Sequence, residues 1–344
     1  MKRICIVGAG AVGGYLAVRL AQAGLTVSLV ARGAHLQAIR TQGLKLISSG
    51  GLQGSEQTWV EHFTATDDPT TLGPQDWVIV TVKAHSLPQL APQLGSLCGP
   101  DTPIVIAQNG VPWWYFRRHG GELEGHSLVS VDPGGVIAAH LPIERIIGCV
   151  VYIAVQLVEP GVLLHTGGGR YILGEPDGSL SERLKVLAQI FEQAQLHTTL
   201  TSQIRTEIWL KLWGNAAFNP ISALTRAAQD EMAHYPPTRN LIRAVMQETE
   251  AVAKALGIHL PVSLDERLES ATRVGSHRTS MLQDIELGRP TEIEAITGAI
   301  TELGRRVGVS TPHLDTLHAC VKLLERSRQI EQIEQIDLNL GEPV

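Results

Sequence analysis

The sequence predicts an α/β protein in two parts, an N-terminal Rossmann-type dinucleotide-binding domain followed by an all-helical C-terminal domain. Three observations predict it. A glycine-rich turn stands between an apolar strand-like run and a helix at the start of the chain. Short β-type runs then recur, the earlier ones separated by helical or loop stretches, which is the signature of parallel βαβ units. From Ser181 onward the apolar residues repeat at helical spacing instead. A chain of 344 residues suits about two domains. The expected boundaries are residues 1–200 for the dinucleotide domain, 201–330 for the helical substrate and catalytic domain, and 331–344 for a tail.

The elements are expected in this order. Arg3–Val7 reads as a strand, Val12–Ala23 as a helix and Thr26–Val30 as a second strand. Trp77–Val82 and Pro103–Ala107 are further strands. Apolar runs around Leu128–Ser130, Gly148–Leu157 and Val162–His165 follow without long helices between them. Pro160-Gly161 is a turn signal, so Val151–Leu157 and Val162–His165 are expected to pair as an antiparallel hairpin. Leu184, Leu187, Ile190 and Phe191 mark one helix face, and Leu241, Val245, Val252 and Leu256 mark another. Gly288-Arg289-Pro290 breaks the chain. Ile293, Ile296, Ile300, Leu303 and Val307 then line a helix with Pro290 near its first turn. Gln329–Val344 reads as a terminal helix that either frays or packs on a partner.

Bulk properties exclude several classes of function. Hydrophobic content of 44% with 18% charged residues describes a globular chain. A net charge of −6 leaves no basic footprint for nucleic acid. No stretch is apolar for long enough to span a bilayer. Met1-Lys2-Arg3, an apolar run and Ala21-Gln22-Ala23 loosely imitate a secretory signal, but glycines at 8, 10, 13 and 14 make a poor signal core. Cys5, Cys98, Cys149 and Cys320 have no paired spacing, which predicts free thiols in a reducing compartment. A cytoplasmic protein is therefore expected. The thirteen histidines form no ligand spacing with one another or with the cysteines, so no metal is expected. Monomer and homodimer are both compatible with the sequence.

The run Gly8-Ala9-Gly10-Ala11-Val12-Gly13 is G-x-G-x-x-G in the strand-to-helix context that the motif requires. The first glycine permits a tight turn, the second lets backbone approach a pyrophosphate, and the third lets helix pack on strand. The helix N-terminus then faces the phosphates. An acid that would bind the adenosine ribose is missing after the second strand, where Val27-Ser28-Leu29-Val30-Ala31-Arg32 ends on a planar cation suited to a 2′-phosphate. NADPH/NADP+ is therefore expected over NAD(H). Ligands of such sheets lie beyond the carboxyl ends of the strands, where Lys83 and Gln108-Asn109-Gly110 stand.

A helix spanning Glu207–Pro220 carries a polar row, Lys211, Asn215 and Asn219, amid Trp209, Leu210, Leu212, Trp213, Ala216 and Phe218. Steps of four stack these groups on one face of a helix with about 3.6 residues per turn. Two readings stand on spacing alone. Either a substrate meets the row, since burying it unpartnered costs on the order of several kcal/mol, or the row is an exposed stripe in which Glu207 pairs with Lys211. Downstream, Ser280 and Glu292 flank the helix break. Each also has a structural reading, as a helix cap and as an acid at a helix N-terminus.

Taken together, these residues resemble the ketopantoate reductase (2-dehydropantoate 2-reductase) family over most of the chain. The resemblance rests on the glycine loop, Arg32, Lys83, Gln108-Asn109-Gly110 and Lys211-x3-Asn215-x3-Asn219-Pro220. It extends through Thr279-Ser280-Met281-Leu282-Gln283-Asp284 and Thr291-Glu292-Ile293. It implies Lys211 as general acid, with Glu292 beside it in the catalytic pair. It also implies that Asn109, Asn215, Asn219, Ser280 and Glu292 bind substrate and cofactor in an interdomain cleft. The chemistry suits these residue types: reducing a 2-oxo acid needs hydride at the carbonyl carbon and a proton for the oxygen as charge develops.

Three departures bear on the substrate. Gln-Asn-Gly continues into Val111-Pro112-Trp113-Trp114-Tyr115, aromatics that either re-line the substrate cleft or pack beneath a loop. Glu294 and Thr297-Gly298 replace the commoner Asp and Asn-Gly. Gln229-Asp230 replaces an Asn-Gly beyond Asn219. The leading expectation is NADPH-dependent reduction of 2-dehydropantoate to (R)-pantoate. The alternatives are reduction of another branched or aromatic 2-oxo acid, or a non-catalytic NADP(H)-binding redox sensor.

Overall fold

A computed structural model describes residues 2–49, 56–272 and 275–340, the last ten of these as backbone alone. The chain forms two compact units, Met1–Glu207 and Ile208–Val344. The first contains β1 (Arg3–Val7), α1 (Ala11–Gln22), β2 (Thr26–Val30), α2 (Gly33–Gln42), β3 (Leu44–Ser49), β4 (Glu56–Glu61) and β5 (Thr64–Thr66). It continues through β6 (Trp77–Val80), α3 (Leu87–Leu94), β7 (Ile104–Ile106), α4 (Val136–His140), β8 (Ile146–Glu159), β9 (Val162–Gly174), α5 (Glu182–Gln193) and β10 (His197–Leu200).

These strands make one sheet in the order β4-β3-β9-β8-β7-β6-β1-β2-β5, with β10 paired to β9 off that path. From β8 to β5 every pairing is parallel. A parallel sheet covered on both faces needs nearly continuous apolar strands. Ile4–Val7, Trp77–Val80 and Ile104–Ile106 supply them, all buried. From β1 the chain crosses to β2 on one side and returns to β6 on the other, so the sheet has its switch point beside β1.

The expected hairpin is present and longer than its sequence signals. β8 and β9 pair antiparallel from Gly148↔Gly174 to Glu159↔Val162, around Gly161 at φ +83°. The run at Leu128–Ser130 is not a strand. It turns instead, with Val131 and Asp132 donating backbone N–H to the Leu128 carbonyl and the Asp132 carboxylate accepting from Ile137 and Ala138 at the start of α4. Val129 is 70% exposed, which removes the burial that would reward a strand there.

The second unit is helical, as expected. α6 (Ile204–Thr225) begins in the first unit and continues into it. α7 (Gln229–His234), α8 (Pro236–Ala255), α9 (Leu264–Thr272), α10 (Ser280–Glu286), α11 (Ala299–Val307) and α12 (Pro312–Leu340) follow. Glu294–Gly298 forms one π-helical turn leading into α11. Among the described residues no helix is long and apolar enough to cross a membrane. Residues 341–344 of the expected tail lie outside the described residues.

Candidate active site

The glycine loop divides its three motif positions by space. Gly8 adopts φ +104°, and a Cβ there would stand 2.7 Å from both the Val82 backbone nitrogen and its Cγ1. A Cβ on Gly13 would stand 2.1 Å from the Gly8 carbonyl oxygen and 2.3 Å from Thr81 Oγ1. Gly10 meets nothing within 4 Å, is exposed, and occupies the N-cap of α1 with no side-chain cap. Two glycines thus make the loop, and one leaves its outer surface bare over uncapped helix N–H groups. That cradle fits a pyrophosphate.

Side chains tie the loop to its neighbours. Thr81 Oγ1 donates to the Gly8 carbonyl at 2.6 Å, and Gln108 Nε2 donates to the Val82 carbonyl at 2.7 Å. His35 Nδ1 accepts the Gly161 N–H at 3.0 Å, so its proton sits on Nε2 and is donated to the Ala9 carbonyl at 2.7 Å. Arg32 is exposed and stands at the N-cap of α2, immediately after β2. Lys83 and Asn109 are half-buried and follow β6, which pairs with β1 at the switch point, and β7, the next strand beyond it. The first unit therefore gathers the glycine loop, Arg32, Lys83 and Asn109 along one edge of one sheet.

Helix α6 carries the other set. Trp209 and Trp213 are fully buried, and Leu212, Ala216 and Phe218 nearly so. The Trp213 indole donates to the Met246 carbonyl at 2.8 Å, anchoring α6 on α8. Along the row, Lys211 and Asn215 are half-buried and Asn219 is 5% exposed. The row thus passes from half-buried to buried toward the end of the helix. Beside the row Gly214 makes room for the Arg267 guanidinium, whose Nη2 lies 2.6 Å from where a Cβ would be.

Glu292 is 8% exposed and ends the connection between α10 and the π turn, its carbonyl accepting from Ile296 N–H at 3.1 Å. Ser280 is the exposed first residue of α10, and the cap of that helix is Thr279, which accepts the Leu282 N–H. Ser280 is thus not needed as a cap.

Both tryptophans after Asn109 are buried, Trp113 at 4% exposure and Trp114 at 1%. The Trp114 ring fills the space above Gly148, and Arg205 lies over it. Arg205 also donates to the Tyr115, Pro176 and Arg117 carbonyls, which locks this aromatic segment to the start of α6. Trp114 is therefore packing within the sheet unit. Cys5 is fully buried, and burial pushes its thiol up to about 12, so it stays protonated and inert at neutral pH. Among the described residues no cluster of His, Cys, Asp or Glu has the makings of a metal site.

Two kinds of residue were not legible as functional. Thr81 and His35 act on the loop from elements that carry no motif. His318, Lys322 and Glu325 of α12 reach the segment around Glu292 from far along the chain.

Comparison with known proteins adds an independent line. The family profile "Ketopantoate reductase PanE/ApbA" matches residues 4–178, and its C-terminal counterpart matches residues 203–325. A 2-dehydropantoate 2-reductase of Mesorhizobium japonicum is 47% identical over 327 residues, covering 95% of this chain and 98% of that protein. A crystal structure of a putative ketopantoate reductase from Ralstonia solanacearum superposes with TM-score 0.89 at 44% identity, over 96% of this chain and 99% of the other. A D-mandelate dehydrogenase solved with NADH and anilino(oxo)acetate superposes with TM-score 0.81 at 25% identity, over 95% and 99% of the two chains.

Proposed function

The chain belongs to the ketopantoate reductase family, and from that membership we propose that it reduces 2-dehydropantoate to (R)-pantoate with NADPH, a step toward pantothenate and coenzyme A. The observation that carries this reading is the polar row of α6, half-buried on a helix whose other faces are packed in the core. A lysine and two carboxamides aligned on one helix face offer a polar ligand a proton donor and two uncharged hydrogen-bonding groups.

NADPH, once bound, would supply the hydride for the carbonyl carbon of the 2-oxo acid. Lys211 donates a proton to the carbonyl oxygen, and its charge offsets the alkoxide as it develops. Asn215 and Asn219 orient the substrate without adding charge, and Ser280 donates to its carboxylate. Glu292 accepts hydrogen bonds from the substrate hydroxyl or from the Lys211 ammonium. Asn109 orients the nicotinamide or the substrate. On the cofactor side the Gly8–Gly13 backbone and the α1 N-terminus hold the pyrophosphate. Lys83 and Glu292 add contacts to the dinucleotide, and Arg32 takes the 2′-phosphate as a planar partner.

The likeness to the D-mandelate dehydrogenase favours a second reading, an aromatic 2-oxo acid reduced at the same site. Trp114, buried against Gly148, does not contribute to that reading. Steady-state oxidation of NADPH across a panel of 2-oxo acids tests both readings. The first expects the highest kcat/KM for 2-dehydropantoate. A higher value for phenylglyoxylate would replace it with the second. Tight NADPH binding without turnover of any 2-oxo acid would leave only a redox sensor.

A further inference from the structure

Glu292 belongs to a short irregular connection, yet both its flanks are fixed by one face of α12. On the near side, Glu325 Oε1 accepts from the Thr291 backbone N–H and from its hydroxyl, each at 2.7 Å. On the far side, the Glu294 carboxylate lies 3.1 Å from Lys322 Nζ through one oxygen and 3.1 Å from His318 Nε2 through the other. Lys322 closes the set by reaching Glu325 Oε2 at 3.6 Å. His318, Lys322 and Glu325 are spaced by four and three residues, so they share a face of α12.

The π turn contributes to this arrangement. Within it Gly298 leaves the room in which the Glu294 carboxylate crosses to His318. A Cβ at 298 would stand 2.7 Å from Glu294 Oε2 and 3.2 Å from His318 Nε2. π turns put an extra residue into a helix and are frequent at functional sites. This one begins at Glu294, the residue that two α12 side chains engage. Glu325 is well shielded, with its side chain 14% exposed, so its hydrogen bonds to Thr291 are stronger than those of a surface pair.

We propose that His318, Lys322 and Glu325, acting through Glu294 and Thr291, are positioning residues that hold the Glu292 carboxylate in its working orientation toward the 2-oxo acid. The proposal rests on the reading of Glu292 as a substrate-contacting group. Displacing that carboxylate by about an ångström weakens a bond that must be aligned in the reacting complex.

A double-mutant cycle tests it. Lys322→Met and Glu292→Gln are made singly and together, kcat/KM is measured with 2-dehydropantoate, and thermal unfolding is followed in parallel. Lys322→Met is expected to lower kcat/KM about tenfold, the scale of coupling within one network, and to have no further effect once Glu292 is Gln. A loss of equal size in both backgrounds overturns the proposal, as does an unchanged Lys322→Met enzyme. If Lys322→Met unfolds, Glu294→Gln takes its place in the same cycle, with the same expected and overturning outcomes. An unaltered Glu292→Gln enzyme overturns the functional reading of Glu292, and the proposal with it.

Discussion

The glycine loop and the polar helix make polar sites by opposite means. The loop offers backbone N–H groups and owes its shape to atoms that are not there: a Cβ at residue 8 or 13 would collide with Val82 or with the Gly8 carbonyl. The helix offers side chains, Lys211, Asn215 and Asn219, and owes their presentation to the burial of Trp209 and Trp213 around them. A site of the first kind is damaged by adding atoms and one of the second kind by removing them. The two halves should therefore fail in different ways, and each failure has its own readout.

The largest effect is expected from removal. Lys211→Ala should lower kcat by about 10²- to 10⁴-fold, the usual worth of a positioned proton donor. Its thermal midpoint should stay close to wild type, because the residue is only half-buried. Near-normal turnover would end the proposed mechanism. Next is Arg32→Ala, which should weaken NADPH binding about ten- to a hundredfold, the range of a lost charge-assisted contact. NADH binding should barely move; equal losses for the two cofactors would move Arg32 from the 2′-phosphate to a part that both share, and no loss for either would return it to the surface.

The addition arm sharpens the comparison through two neighbouring glycines. Gly13→Ala should destabilise the fold by about 1–3 kcal/mol, as overpacking does, since its Cβ would stand 2.1 Å from a carbonyl oxygen. Gly10→Ala should leave the melting temperature unchanged and weaken NADPH binding several-fold, because its Cβ would enter only the open face of the loop. If both variants melt alike and bind alike, the division of roles within the motif is wrong.

The smallest expected effect is on acid stability. His318, with Lys322 behind it, holds the Glu294 carboxyl down to about 2 from its ordinary 4.5. A depressed carboxyl contributes stability above its unfolded value and loses it as pH falls toward its folded one. The stability gap between wild type and Glu294→Gln should therefore be full above pH 4.5 and close as pH falls toward 2. Glu294 is 42% exposed, so the gap should be modest and should shrink in salt. A gap that persists unchanged at low pH would show that the carboxylate's charge is not what matters.

What was legible in the sequence follows from how far each feature reaches. The loop was legible because its three glycines fall within six residues between a strand and a helix, although the atoms that crowd Gly8 and Gly13 include Thr81 and Val82 from far along the chain. The polar row was legible because helical periodicity places Lys211, Asn215 and Asn219 on one face without any partner being known. β3, by contrast, has only the short alternation of Leu44 and Leu46 to mark it and is held as a strand between β9 and β4. At Leu128–Ser130 the composition suggested a strand, but Asp132 supplied a turn instead. The clamp on Glu292 had no sequence signal, since Thr291 and Glu325 are 34 residues apart and neither belongs to a motif that names the other.

The strand β9 bears on how the first unit reaches its fold. It pairs with β8 across a tight turn, yet its opening residues also pair with β3, where Ser48 and His165 are 117 residues apart. Its closing residues pair on with β10, and the bend of Gly167–Gly169, with φ of +74° and +123° at the last two, separates the two partners. Closing the nearby turn is entropically cheap, whereas bringing β3 to the same strand closes a loop an order of magnitude longer. The β8–β9 ribbon is thus the natural early template, and β3 with β4 is the late addition. Lengthening the turn at Gly161 should accordingly slow refolding more than it speeds unfolding, a ratio that stopped-flow kinetics reads directly.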